Sequence, residues 1–168
     1  YKGPFTDFII KLAKNPLFKK LCPVAGYVQD RREEEEMTLR FCAFSEPYPN
    51  FELSNGVSLR RNGVADFLNN YIELKNAEND QEDMIKKEQD FIMVINFVNQ
   101  TFPDQGFAKA KGVIGVSKPY FEAIALGALY ALRENKNIVP SDVNWSVLDK
   151  KHPNKFFSIL SSRYRTHT

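Results

Sequence analysis

Apolar residues recur at spacings of three and four through most of this 168-residue chain, and several of the runs end at a proline. That spacing places apolar side chains on one face of an α-helix, whereas a half-buried strand would alternate every second residue. The strongest instance covers residues 119–134, where apolar residues occupy nearly every face. A helix that is apolar all round is normally buried. We therefore predict an all-α fold, an irregular bundle packed around a central helix at residues 119–134.

The remaining patterns bring the predicted total to about eight helices. The predicted segments are two helices within residues 4–21, separated at Pro16, then residues 31–46, 64–74 and 81–102, and two short helices that begin near Ser141 and Pro153. Residues 50–60 alternate apolar and polar side chains across Asn55-Gly56, which allows either a small β-hairpin or an irregular loop. Residues 104–116 are predicted to form a loop.

Composition places the chain among ordinary globular proteins, with 43% hydrophobic and 26% charged residues. Its length suits one domain at residues 1–168, trimmed from a longer protein, and it is open whether residues 138–168 belong to that domain. The longest apolar run is too short to cross a membrane. Cys22 and Cys42 have no neighbouring partner at metal-ligand spacing, so we expect buried, reduced thiols in a cytoplasmic protein.

No arrangement of residues predicts catalysis, a metal site or a cofactor. The two histidines, His152 and His167, have no convincing nucleophile nearby. The glycine-containing stretch at residues 106–118 lacks the Gly-Lys-Ser/Thr order of a phosphate-binding loop. The four consecutive glutamates at residues 33–36 spread around a helix and cannot converge on one ion. Their predicted role is to complement the positive end of a helix dipole.

Positive charge is concentrated at the two ends of the chain. Residues 1–29 contain five lysines against one aspartate, and residues 149–168 contain five basic residues against one aspartate. Such ends contact phosphates if folding brings them together, although solubilising surface charge is the simpler interpretation. The candidate nucleic-acid or phosphate contacts are Lys109, Lys111, Lys150, Lys151, Arg163 and Arg165.

Two stretches of the sequence carry a resemblance to a known family. The first contains Arg31, an acidic run, Leu39, Arg40, Phe41 and Phe44, and the second contains Phe67, Leu68, Asn69 and Tyr71. Residues 1–21 and 119–123 are similar to the flanking segments of the same family. The chain thereby resembles the helical C-terminal half of the S-subunit portion of GmrSD-type modification-dependent restriction proteins.

This resemblance implies a non-catalytic helical domain of a phage-defence protein. In that family a front half similar to ParB and sulfiredoxin carries an Asp-Gly-Gln-Gln-Arg motif associated with nucleotide hydrolysis, and an HNH nuclease module often accompanies it. The resemblance implies those two modules and DNA as partners, and no catalytic residue in this chain, which lacks both motifs. It also makes Arg40 a candidate for a bond to another helix or to the front half, the alternative being a surface pair with Glu36.

Two other functions are compatible with the sequence. One is a DNA-binding module that uses the basic ends of the chain, whose affinity would fall with added salt. The other is a stand-alone helical scaffold, which would bind a protein partner through an exposed apolar patch.

Overall fold

The computed structural model describes residues 1–24, 32–109 and 112–135. Within those ranges the chain forms six α-helices. They are α1 Pro4–Ala13, α2 Pro16–Leu21, α3 Glu33–Ser45, α4 Leu59–Glu78, α5 Gln81–Thr101 and α6 Lys118–Glu134. The described residues contain no β-strand, which confirms the all-α prediction for this part of the chain. The helices predicted near Ser141 and Pro153 lie outside the described residues, so the total of eight stays a prediction.

The helix predicted at residues 119–134 is confirmed as α6, and nine of its residues are buried, including Phe121 and Leu129. Its central position is not confirmed: within the described residues α6 contacts α3 and α5, whereas α3 contacts α1, α4 and α6. Aromatic side chains fill the surrounding core, since those of α1, α2, α3, α4 and α5 converge on α6 or on one another. The most deeply buried are Phe5, Phe18, Phe41, Phe44, Phe67, Tyr71, Phe91, Phe107 and Phe121. Burying each such ring stabilises the fold by roughly 1.5–3 kcal/mol.

Helices α1 and α2 have different kinds of cap at their N-termini. The side chain of Asn15 precedes α2 and accepts hydrogen bonds from the backbone of Leu17 and Phe18, at 2.9 and 3.2 Å. Gly3 precedes α1 and has no side chain to offer. Asn76 of α4 replaces it: its amide oxygen accepts from the backbone N–H groups of Phe5 and Thr6, at 3.0 and 3.1 Å. A residue distant in sequence therefore caps the first helix.

Helix α4 is longer than the sequence predicts. We expected residues 64–74, but the helix begins five residues earlier and is kinked at Gly63, where φ is 82° and ψ is 171°. Residues 60–66 are all exposed. They therefore show no apolar stripe, which is why the helical spacing did not reveal them.

Residues 50–60 contain a tight turn between Glu52 and Ser58, and the last two of them begin α4. One antiparallel bridge joins Glu52 to Ser58, and the N–H of Leu53 donates to the carbonyl of Val57 at 2.8 Å. Gly56 occupies the turn with φ of 81°. The predicted β-hairpin is not confirmed, because this segment has one isolated bridge and no strand.

The loop after α5 returns to the end of α2. The N–H of Phe107 donates to the carbonyl of Leu21 at 2.8 Å. Gly106 has a φ of 55°, and a Cβ atom at this position would overlap the same carbonyl oxygen and lie 2.7 Å from the Leu21 Cα. Only glycine allows the two backbones to approach this closely.

Candidate functional site

The described residues contain two polar clusters within the helical core. The first, which we call the lysine cluster, consists of Glu46, Tyr71, Lys75, Asp83 and Lys87, and it lies where the end of α3 meets α4 and α5. Both lysines are 8% exposed. Lysine is almost never buried without a partner, so the surrounding carboxylates determine whether this arrangement is stable.

The carboxylates of the lysine cluster engage both buried ammonium groups. Lys75 Nζ lies 2.7 Å from Glu46, 2.9 Å from Glu78 and 3.3 Å from Asp83. Lys87 Nζ lies 3.0 Å from Glu46 and 2.6 Å from Asp83. The three protons of Lys75 thus face three carboxylates, and no donor remains for a ligand.

The carboxylates of the lysine cluster stay ionised at neutral pH. Burial alone would raise the pKa of Glu46, but hydrogen bonds from Lys75 and from the Tyr71 hydroxyl, the latter at 2.6 Å, lower that pKa below its usual value. Burial and the neighbouring carboxylates raise the pKa of Tyr71. Burial would likewise raise the pKa of Asp83, yet the Lys87 hydrogen bond lowers it. Each shift moves the pKa of its group further from pH 7, so this cluster is poorly suited to general acid–base chemistry.

A cavity of about 190 Å³ adjoins the lysine cluster. Its walls are Glu46, Pro47, Glu52, Leu53, Ser54, Tyr71, Leu74, Lys75 and Glu78. The charged groups of this wall have partners: Glu46 and Glu78 bind Lys75 within the wall, and Glu52 binds Arg61, which lies outside it, at 3.0 Å. The arrangement therefore stabilises the junction of three helices.

The second cluster joins α3 to the start of α6. We call it the arginine cluster, and it consists of Glu33, Glu36, Arg40, Lys118 and Glu122. Arg40 Nε donates to Glu36 at 2.9 Å, and another nitrogen of the same guanidinium donates to Glu122. Lys118 Nζ lies 2.8 Å from Glu36 and 3.4 Å from Glu33.

The arginine cluster resolves the two alternatives for Arg40. The guanidinium forms the pair with Glu36 within α3 and also the bond across helices to Glu122, which is 6% exposed. Burial would raise the pKa of Glu36, but hydrogen bonds from Lys118 and Arg40 lower it. Arg40 therefore binds two glutamates of this chain.

The glutamate run lies at the start of α3, as predicted. Two of its members, Glu33 and Glu36, converge on one cation, the ammonium group of Lys118. Glu35 lies 3.7 Å from Arg32. Across residues 1–24, 32–109 and 112–135, no three potential ligands from histidine, cysteine, aspartate and glutamate are grouped to hold a metal ion.

The two cysteines are buried and neither forms a disulfide, which confirms the prediction of buried, reduced thiols. The Cys22 thiol donates to the sulfur of Met37 at 3.1 Å. Burial raises the pKa of both thiols to about 12, and the carboxylates of Glu34 and Glu33 contribute further at Cys22. The thiolate is the reactive form of cysteine, so both side chains behave as small apolar groups at neutral pH.

The predicted phosphate contacts fall mostly outside the described residues. Lys109 is exposed on the loop that follows α5. The other five, Lys111, Lys150, Lys151, Arg163 and Arg165, lie in the parts of the chain that are not described. Their grouping stays a prediction.

The residues that carry the family resemblance are mainly core residues. Phe41, Phe44, Phe67, Leu68 and Tyr71 are buried. The remaining members differ: Leu39 and Arg40 are half-buried, Asn69 is exposed, and Arg31 lies outside the described residues. The two stretches thus contribute core side chains and some members of the polar clusters, such as Arg40 in the arginine cluster and Tyr71 in the lysine cluster.

Sequence reasoning missed the lysine cluster, although a signal was present. Lys87 stands between Met84 and Phe91 on the apolar stripe of α5, and Lys75 follows Tyr71 by four residues on α4. A lysine on the buried face of a predicted helix implies a carboxylate partner. Which carboxylate meets it depends on contacts between helices.

Comparison of the chain with family models, with curated proteins and with solved structures finds no match in any of the three. In the part of the chain that the structure describes, no helix is long and apolar enough to cross a bilayer. The described residues thus form a helical domain with an apolar core, and its two polar clusters join helices of the same chain.

Proposed function

We propose that this chain is the non-catalytic helical domain of a GmrSD-like restriction or phage-defence protein, and that it packs against an N-terminal NTPase half similar to ParB and sulfiredoxin. The observation that supports this proposal is that the separate stretches carrying the resemblance meet in one interior.

Three contacts join those stretches. The rings of Phe5 and Tyr71 meet edge to face with centroids 5.7 Å apart, which links the first segment to the Phe-Leu-Asn-x-Tyr element. Phe44 lies 6.0 Å from Phe67. The arginine cluster links the remaining pair, since Arg40 binds a glutamate of α6.

The character of the polar clusters supports a structural role for this chain. The cations of the lysine cluster bind carboxylates of the same chain, and the pKa shifts keep these groups ionised. Catalytic groups are usually tuned toward the working pH, whereas these are tuned away from it. We accordingly place the chemistry of the whole protein in other modules.

The proposal is tested by reconstitution. The full chain and the front half encoded upstream are produced separately, mixed, and examined by size-exclusion chromatography with light scattering and by a GTP hydrolysis assay. We expect a 1:1 complex, and hydrolysis only in samples that contain the front half. A front half with its Asp-Gly-Gln-Gln-Arg motif changed to alanines is the matched control, and it should form the complex without hydrolysing GTP.

Two results would contradict the proposed function. The first is GTP hydrolysis or DNA cleavage by this chain alone. The second is failure of the two halves to associate, which would favour a stand-alone scaffold with a different protein partner.

A further inference from the structure

The chain contains two Asn-Gly pairs, Asn55-Gly56 and Asn62-Gly63, and all four residues are exposed. The backbone nitrogen after an asparagine attacks the side-chain amide carbon when the two atoms meet, and glycine favours the attack because it has no Cβ to obstruct it. Both pairs have the same local chemistry. Their reactivity in the folded chain therefore depends on where each asparagine side chain is held.

The side chain of Asn55 lies over the peptide that follows it. Its Oδ1 accepts a hydrogen bond from the Val57 N–H at 3.1 Å, which is the pattern of an Asx turn. The ring closed by this bond runs through the Asn55–Gly56 peptide and brings Cγ of Asn55 toward the Gly56 nitrogen. Attack at Cγ places negative charge on Oδ1, and a backbone N–H aimed at that oxygen stabilises the charge as it develops.

The nitrogen of the Asn55 amide is held as well. Its Nδ2 donates to Oδ1 of Asn70 at 3.1 Å. The Asn70 amide is oriented in turn, because its own Nδ2 donates to the Asp66 carbonyl at 2.9 Å. The Asn55 amide thus directs its oxygen to Val57 and its nitrogen, the leaving group in such an attack, to α4.

Two neighbouring groups act on the Gly56 N–H. It donates to the Leu53 carbonyl at 2.9 Å, so this bond must open before a base removes the proton, which makes the reaction slow. The Arg61 guanidinium donates to the Gly56 carbonyl at 3.0 Å. A cation there favours the deprotonated nitrogen, although the pairing of Arg61 with Glu52 offsets part of the charge.

The side chain of Asn62 is held in the opposite direction. Its Oδ1 accepts from the Ser58 N–H at 3.0 Å, and its backbone N–H donates to the Ser58 carbonyl at 2.9 Å. The Asn62 amide is therefore fixed to the preceding turn of α4, away from the Gly63 nitrogen that follows it. This pair is a control within the same chain, equal to the first in sequence and exposure.

We propose that Asn55 is a site of self-modification by intramolecular deamidation. Hydroxide removes the Gly56 N–H proton, and the Gly56 nitrogen forms a bond to Cγ of Asn55. The Cγ–Nδ2 bond breaks, and ammonia leaves after taking a proton from water. Water then opens the cyclic imide to aspartate or isoaspartate, so the sum is the exchange of one water for one ammonia. The inference does not depend on the proposed function.

The modification alters the turn that contains it. A carboxylate at residue 55 has no proton to donate to Asn70. The isoaspartate product also carries the main chain through the side chain of residue 55, which lengthens the turn closed by the bond from Leu53 to Val57. Because Leu53 and Ser54 line the cavity beside the lysine cluster, the change reaches the wall of that cavity.

The test compares the two pairs in one sample. The full chain is incubated at mildly alkaline pH, folded or in urea, and the mass gain of an amide converted to an acid is assigned by peptide mapping. In urea Asn55 and Asn62 should convert at similar rates. In the folded chain we expect Asn55 to convert at least about tenfold faster than Asn62, because only its amide is oriented for attack.

Asn55→Gln is the matched control variant, since the longer side chain does not form the same cyclic imide. The variant should show no mass gain at residue 55 and an unchanged slow rate at Asn62, with thermal unfolding showing that it is folded.

Three outcomes would overturn the inference. They are equal rates at the two asparagines in the folded chain, faster conversion at Asn62, and no conversion at Asn55 in the folded chain while the urea sample converts. Association with the front half is measured separately, so failure here leaves the proposed function intact.

Discussion

The lysine cluster and the exposed lysines near α2 and the loop after α5 place the same residue type in opposite environments. Lys75 and Lys87 are nearly buried and surrounded by carboxylates, while Lys14, Lys19 and Lys109 are exposed and have no acidic partner within the described residues. The first pair joins three helices through its ion pairs. The second group is solvated and contributes little to the fold. Burial and pairing, more than residue identity, decide how much a lysine contributes to stability.

The largest expected effect concerns the contact that holds the loop after α5 against the end of α2. Gly106→Ala adds a Cβ atom that overlaps the Leu21 carbonyl oxygen, at a position with positive φ. We expect the free energy of unfolding to fall by about 2–4 kcal/mol, from backbone strain together with the clash. Urea unfolding measures this loss.

Gly56→Ala is the matched control for this prediction. Gly56 also has positive φ, yet nothing lies within 4 Å of the position that a Cβ atom would take there. The free energy of unfolding of the Gly56→Ala variant should fall by only about 1–2 kcal/mol, from backbone strain alone. Equal losses at the two glycines would show that the loop does not lie against α2 as described.

Breaking the lysine cluster is the next largest effect. Lys75→Ala leaves Glu46 without its nearest cation, and we expect a loss of about 2–3 kcal/mol in the free energy of unfolding. This is less than the roughly 3–5 kcal/mol of a fully buried pair, because the Glu46 side chain is 38% exposed. Lys86→Ala, at an exposed position of the same region, should change stability by less than about 0.5 kcal/mol. A similar change at both lysines would remove the contrast between buried and exposed lysines.

The cap that Asn76 provides for α1 sharpens the comparison further, since Asn76 directly follows Lys75 of the lysine cluster. Asn76→Ala removes the acceptor for the Phe5 and Thr6 N–H groups, and we expect a loss of about 1–2 kcal/mol. Thermal unfolding would detect it, with exposed Asn69→Ala as the control. If the two variants melt alike, α1 does not depend on a cap from α4.

The smallest expected effect is the pH dependence of stability. The pKa values of Glu46 and Asp83 are lowered in the folded state from 4.5 and 3.8. Their stabilisation is therefore present above those values and is lost as the pH falls through the folded-state pKa. We expect free energies of unfolding that are nearly flat from pH 7 to about pH 5 and then decline, with about 1 kcal/mol or less per carboxyl after solvent screening. Glu46→Gln should flatten the decline, and an unchanged profile in that variant would contradict the assignment.

Local patterns allowed most of the fold to be predicted. Helix α5 was expected at residues 81–102 and ends one residue earlier, and the apolar helix α6 lies where its composition indicated. The start of α4 was not predicted because residues 60–66 are all exposed and therefore show no apolar stripe. The lysine cluster, the cap from Asn76 and the contact of the loop at Gly106 with α2 depend on segments distant in sequence, which periodicity does not report.

The most direct test of the proposed function is the coding sequence on both sides of this chain. We expect an in-frame Asp-Gly-x-Gln-Arg motif upstream of Tyr1, and an HNH motif downstream of Thr168 or in a separate gene. A start codon directly before Tyr1 with no front half encoded nearby would contradict the proposed function, and the chain would then be a free-standing helical domain.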